Sequence, residues 1–333
     1  MISRISSRCT TNGGGWFWGN ANGKAEYDAG LVTGEYCGMN TLPGRYLELL
    51  KKSLLNELYV ENEARLNFLF SQLVFGNRDQ LDIDAIVADY VAITKSPSYP
   101  LFPKCKLDGT FVELSAVDSQ GKTTPYFAGR NIVFVAHSMI GRKRMNNLHE
   151  CMERVVADAI PGDFIETGVW KGGATIFMRG FLQANGIGDR KVWVADSFEG
   201  LPPPGEKDQG MDYTSKVYPY LAVGLDEVQE LFRRYELLDD QVVFLKGWFK
   251  DTLPAAPIEK LAVLRLDGDL YSSTWDALSS LYPKLSPGGF VIVDDYFSFP
   301  GCQDAVDDYR IQYGVTEALT QIDGQSVIWR KAA

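Results

Sequence analysis

Residues 163–177 read DFIETGVWKGGATIF. Phe164, Ile165 and Thr167 are strand formers, Gly168 stops the run, and Gly172-Gly173 open a stretch with apolar residues at helical spacing. A strand, a glycine turn and a helix form the repeating unit of a parallel sheet, because parallel neighbours need a crossover. Downstream, further strands are expected at 192–196, 242–246, 261–267 and 289–294, with helices near 172–185, 225–236 and 272–284. This alternation predicts an α/β, doubly wound, mostly parallel sheet. The chain ends in LTQIDGQSVIWRK (319–331), two short runs around Asp323-Gly324, which predicts a terminal antiparallel hairpin.

Upstream the pattern differs. Residues 1–44 are Gly-rich and aperiodic and read as an arm. Residues 45–130 read as a helical and lid region: RYLELLKKSLLNELY (45–59) and IDAIVADYVAITKS (83–96) are helical, and 109–127 carry a hairpin pattern. The sheet domain is expected over 131–333. Of 333 residues, 43 are acidic and 33 basic, giving a net charge of -10 with no Lys/Arg block, so a nucleic-acid partner has no electrostatic footprint. The five cysteines form no C-x-x-C pair, so neither a disulfide framework nor a zinc site is indicated. No apolar run approaches the roughly 18 residues of a membrane span. The start, MISRISSRCTTNGGG, lacks the apolar core of a secretory signal. A cytoplasmic protein with no membrane partner is the expectation.

The glycine turn narrows the ligand. In a doubly wound sheet the ligand sits beyond the carboxyl ends of the strands. The glycines are spaced G-x-x-x-G-G rather than G-x-G-x-x-G, and Glu166 stands at the mouth of the turn. A carboxylate there repels a diphosphate, which argues against a dinucleotide, and suits a cationic ligand such as a sulfonium amino acid. Asp196 ends the second strand, in VWVADSF, placed either to bind a ribose diol or to cap a turn. A parallel sheet closed by one hairpin is the Rossmann-like architecture of class I S-adenosylmethionine-dependent methyltransferases. Two more strands, in LAVLRLDGDLYSS (261–273) and GGFVIVDDYFSF (288–299), both stop on carboxylates: Asp267 and Asp269, then Asp294 and Asp295. Two acidic strand ends so close in sequence suggest a shared site.

HSMIGRKRMNNLHECMERVV (137–156), PGDFIETGVWKGGATIFMRGFL (161–182), RKVWVADSFEGLP (190–202), KGWFKDTLP (246–254) and residues 261–296 together resemble the macrocin O-methyltransferase family. Residues 45–61 match it more loosely. The resemblance implies methylation of sugar hydroxyls on glycosylated natural products, with S-adenosyl-L-methionine as donor and Mg2+ as metal. It assigns Mg2+ to Asp267, Asp294 and Asp295. The chemistry agrees, since three like charges in one place need a counter-ion and oxygen-only ligands favour a hard cation. It places the donor at Met139, Glu166, Thr167, Gly168, Gly172, Asp196, Ser197, Gly247, Trp248 and Phe249, although the two aromatics also read as core residues.

Asp267 is the first choice of general base and His137 its rival; a histidine held by packing is the plainer reading of the latter. His149 reads as structural, Asp269 as the cap of the helix beginning near Ser272, Tyr271 as a substrate contact or a surface residue, and Arg265 as the partner of a buried carboxylate. The expected partner is a small glycoside acceptor, within a homo-oligomer. A catechol or phenol acceptor, or a catalytically silent binding module on the same fold, are the alternatives. The family resemblance is weakest at 1–44 and near 62–130, so the acceptor cannot be carried over from it.

Overall fold

The computed structural model describes residues 41–59, 115–117, 123–125, 135–208 and 212–332. The helical stretch expected at 83–96 and most of the 1–44 arm lie outside them. In chain order the elements are α1 (Leu42–Leu54), β1 (Ser115–Val117), β2 (Thr123–Pro125), α2 (Gly141–Ala157), β3 (Asp163–Thr167), α3 (Gly173–Ala184), β4 (Val192–Asp196), α4 (Leu225–Arg234), β5 (Val242–Lys246), α5 (Phe249–Thr252), β6 (Leu261–Leu266), α6 (Tyr271–Leu281), β7 (Leu285–Val293), α7 (Pro300–Tyr313), β8 (Thr320–Gln321) and β9 (Val327–Arg330). β1 and β2 pair antiparallel, from Ser115↔Pro125 to Val117↔Thr123.

The other seven strands form one sheet in the order β5-β4-β3-β6-β7-β9-β8. β3 to β7 are parallel, and β9 runs antiparallel between β7 and β8. The doubly wound sheet and its closing hairpin are therefore both present. β6 is buried at every position, as expected of a strand covered on both faces. One face packs on Met145, Leu148, Phe177 and Phe232, the other on Leu278, Leu281, Val306 and Tyr309. Helix α4 shows why its ends fall where they do: Asp226 and Glu227 stand in its first turn, and Arg233 and Arg234 in its last, complementing the helix dipole. Helix α1 joins the same body. Lys51 donates to Asn146 of α2 at 2.9 Å, and a Cβ at Gly180 of α3 would strike Leu50.

Two elements depart from the sequence expectation. β7 begins at Leu285, before a register irregularity opposite Leu261–Val263 that accommodates Gly288 at φ +82°. Helix α7 is the second: Cys302, Ala305, Val306 and Tyr309 keep the i, i+3, i+4, i+7 spacing of a buried face, but the stripe holds few large aliphatic side chains to mark it. Among the described residues no helix is long and apolar enough to cross a membrane.

Candidate active site

Strand register brings the acids together. Thr167 pairs with Leu266, and Leu266 with Val293, so the next residues along the rim are Gly168, Asp267 and Asp294. The ladder continues one step past the strands: Asp267 donates its N–H to Thr167 at 2.8 Å, and Asp294 to Leu266 at 2.9 Å. Above this rim lies a cavity of about 570 Å³. Of the residues singled out in the sequence, Met139, Gly168, Asp196, Ser197, Trp248, Phe249, Asp267, Asp294 and Asp295 line it, as does Asp269. Three turns at the rim hold a non-glycine residue in the left-handed region: Trp170 after β3, Phe198 after β4 and Asp269 after β6. Each such conformation costs on the order of 1–3 kcal/mol and collects where surrounding structure enforces it.

Asp196 is the hub of the first two turns. Its Oδ2 accepts the Val169 N–H at 2.7 Å, and its Oδ1 accepts the Phe198 N–H at 2.7 Å. Burial raises its pKa, and these amides offset part of that rise. Gly168 has a reason of its own. At φ +85° it is left-handed, and a Cβ would collide with the carbonyl oxygen of Asp267. The close approach it permits is to the neighbouring strand, as well as to anything in the cavity it lines.

Arg265, wholly buried in β6, organises the acid side. Its Nη1 donates to Glu166 Oε1 at 2.5 Å and to Asp267 Oδ2 at 2.6 Å, and its Nη2 donates to Asp294 Oδ1. Arg144, from the first turn of α2, donates to the other oxygen of Asp294. Asp267 Oδ1 has no hydrogen-bond partner among the described residues. Asp295 is buried, its Oδ2 lacks a partner, and burial followed by the charge of Asp269 drives its pKa well above the ordinary carboxylate value. Burial likewise pushes Asp294 up to about 6 against the pull of Arg265.

One oxygen from each of Asp267, Asp294 and Asp295 lies within 4.8 Å of the others. The orphaned Asp295 oxygen and the all-oxygen donor set fit a hard divalent cation.

Other sequence candidates lie elsewhere. Glu166 is spent on Arg265, and burial pushes it up to about 8. It does not line the cavity, nor do Thr167, Gly172 or Gly247. Gly172, at φ +80°, caps α3, where a Cβ would come within 2.8 Å of Val228. Gly247 donates its N–H to the Asp196 carbonyl at 2.9 Å.

His137 is also absent from the lining. Its Nδ1 lies 2.9 Å from the Tyr235 hydroxyl, its N–H is held by Leu54, and burial lowers its pKa to about 4. This is the packing role. His149 stands edge-on to Phe177 and Phe181.

Asp269 does not cap α6. Asp208, arriving from the loop after β4, instead accepts the Tyr271 N–H at 2.7 Å, while Asp269 hydrogen-bonds Asp295. Tyr271 donates its hydroxyl to Asp308 at 3.0 Å and does not line the cavity.

Sequence reasoning missed Arg144 and Gln325, which line the acid side, and Tyr213 and Phe299, which form an aromatic wall with ring centroids 5.2 Å apart. Nothing in the string GRKRM separates Arg144 from Arg142, which pairs with Glu48 and Glu57.

A seven-stranded sheet of this order is the fold of the class I methyltransferases. More narrowly, the chain belongs to the macrocin O-methyltransferase family, whose model (Macrocin-O-methyltransferase, TylF) matches residues 43–331. It is 52% identical over 225 residues to the 8-demethyl-8-(2,3-dimethoxy-alpha-L-rhamnosyl)-tetracenomycin-C 4'-O-methyltransferase of Streptomyces olivaceus, covering 67% of this chain and 86% of that one. It is also 52% identical over 211 residues to the mycinamicin III 3''-O-methyltransferase of Micromonospora griseorubida, covering 62% and 83%. The solved structure of the O-methyltransferase NovP aligns with TM-score 0.63 and 41% identity, covering 87% of this chain and all of that one. Like these relatives, the chain is a transferase of the O-methylating class.

Proposed function

We propose that this enzyme methylates a sugar hydroxyl on a glycosylated natural product, with S-adenosyl-L-methionine as donor and Mg2+ held by Asp267, Asp294 and Asp295. One observation carries the reading: the cavity that holds Asp196, Ser197, Trp248 and Phe249 also holds the acid rim. Asp196 and Ser197 would receive the ribose of the donor, and Trp248 and Phe249 its adenine. A divalent ion at the rim would lower the pKa of an alcohol, which otherwise holds its proton tightly.

The chain's own groups do the rest. Arg265 fixes Asp267 through Oδ2 and leaves Oδ1 to take the hydroxyl proton. The walls exclude water and align the acceptor with the methyl group, and such alignment supplies much of the rate. The relatives' names mention a rhamnosyl tetracenomycin and mycinamicin III, and the rhamnosyl group of the first supports a sugar as acceptor.

The aromatic wall of Tyr213 and Phe299 favours a second reading, a phenol acceptor. Mass spectrometry of reactions with glycosides and catechols separates the two. A gain of one methyl on the sugar supports the first reading, and a gain on the phenol alone removes it.

A further inference from the structure

Arg144 joins three parts of the molecule at one guanidinium. It stands in the first turn of α2 and is 6% exposed. Nη1 donates to Asp294 Oδ2, Nε to Asp323 Oδ2 at 2.8 Å, and Nη2 to Gln325 Oε1. The last two belong to the turn between β8 and β9. That turn is itself closed, with Asp323 Oδ1 accepting the N–H of Gln325 at 2.8 Å and of Ser326 at 3.0 Å. Two further bonds fasten it to the end of β7: Ser326 Oγ donates to the Asp294 carbonyl at 2.5 Å, and Phe297 N–H to the Gln325 carbonyl at 2.9 Å. Arg144, Gln325 and Asp294 all line the cavity.

We propose that Arg144 is a positioning residue for methyl transfer: its planar fork, seated by Asp323 and Gln325, fixes the rotamer of Asp294 at the metal-binding rim. With Arg265 on one carboxylate oxygen and Arg144 on the other, Asp294 cannot swing, and its remaining lone pairs point in set directions. Only an arginine does this, because the work needs three donors in one rigid plane. The closing hairpin, whose strand β9 pairs directly with β7, thereby acquires a role at the site.

The inference rests on the proposed metal site, and its test keeps the two separable. Arg144→Lys retains the charge and loses the fork, so a change of net charge does not enter. Donor affinity and acceptor KM should stay within about twofold. At saturating Mg2+, kcat should fall by about 10–100-fold, and the Mn2+ dissociation constant, read by electron paramagnetic resonance, should rise about tenfold or more, the usual cost of removing a group that orients a ligand. Wild-type kcat and Mn2+ affinity in Arg144→Lys would overturn the proposal, as would a rise in acceptor KM alone, which would mark Arg144 as a direct substrate contact. If the lysine variant fails to fold, Gln325→Met removes one seat and keeps both ion pairs. At an unchanged melting temperature it should lower kcat and Mn2+ affinity in the same direction, and no effect on either would overturn the proposal. Should the wild type bind no Mn2+ and work in chelator, the metal reading falls, while the kcat of Arg144→Lys still decides the positioning role.

Discussion

Asp267 and His137 were the two bases offered by the sequence, and their surroundings divide them. Asp267 lines the cavity with one oxygen on Arg265 and the other unbonded among the described residues, whereas His137 faces Tyr235 and is held neutral by burial. Asp267→Asn should therefore lower kcat by about 10²–10⁴-fold, the range of a lost general base, with no rescue by excess Mg2+. His137→Phe should keep kcat and lose about 1 kcal/mol of stability with its hydrogen bond. Steady-state kinetics at saturating metal check both, and the reverse pattern would reinstate the histidine.

Gly168 gives a separate test. In Gly168→Ala a left-handed alanine would meet the Asp267 carbonyl, costing at least about 1–2 kcal/mol from conformation alone. Denaturant unfolding without any ligand should show that loss; equal stability would mean the glycine serves the ligand only.

The loop after β4 is tied down by Asp208, which is 4% exposed and caps α6 from outside the helix. Beside it, Lys207 pairs with Asp308 at 2.6 Å. Residues 201–203, 213, 220 and 221 of this loop line the cavity. Asp208→Ala should cost about 1 kcal/mol, the worth of a cap, and raise acceptor KM while leaving donor affinity intact. Calorimetry for the donor and kinetics for the acceptor separate the two.

Much of this architecture was legible in the sequence. β3, β4 and β5 fall within a residue of their expected ends, because buried parallel strands write continuous apolar runs between glycines and acids. The missed helix α7 keeps its period in Cys302, Ala305, Val306 and Tyr309, but with one branched aliphatic among them the stripe reads weakly as an apolar face. The site was legible where strand register alone determines it, at Asp267, Asp294 and Asp295. It was illegible where a side chain crosses between distant elements: Arg144 lies 150 positions from Asp294, and neither residue carries a local sign of the other.

Across the molecule, the acid rim comes with its own counter-charges. Arg144 and Arg265 partly neutralise Asp294, Asp267 and Glu166, which predicts that the fold forms without an added cation. Burial lowers His149 to about 3 and His137 to about 4, against about 6.5 unfolded. Between those values the unfolded chain binds the protons, so this stability is complete above about pH 6.5 and declines as pH falls toward 4. In melting curves across that window His149→Phe should fall less steeply than the wild type. A parallel decline would show that His149 does not contribute.

On the proposed reading the ends of β6 and β7 build a metal-dependent site for methyl transfer to oxygen. Its most direct test is the transfer rate of protein stripped with chelator, measured during Mg2+ titration, with circular dichroism and donor calorimetry run on the same samples. The stripped protein should keep its fold and bind S-adenosyl-L-methionine, yet transfer no methyl group until Mg2+ restores the rate. Full activity in the stripped, folded protein would show that the acid rim is not a metal site.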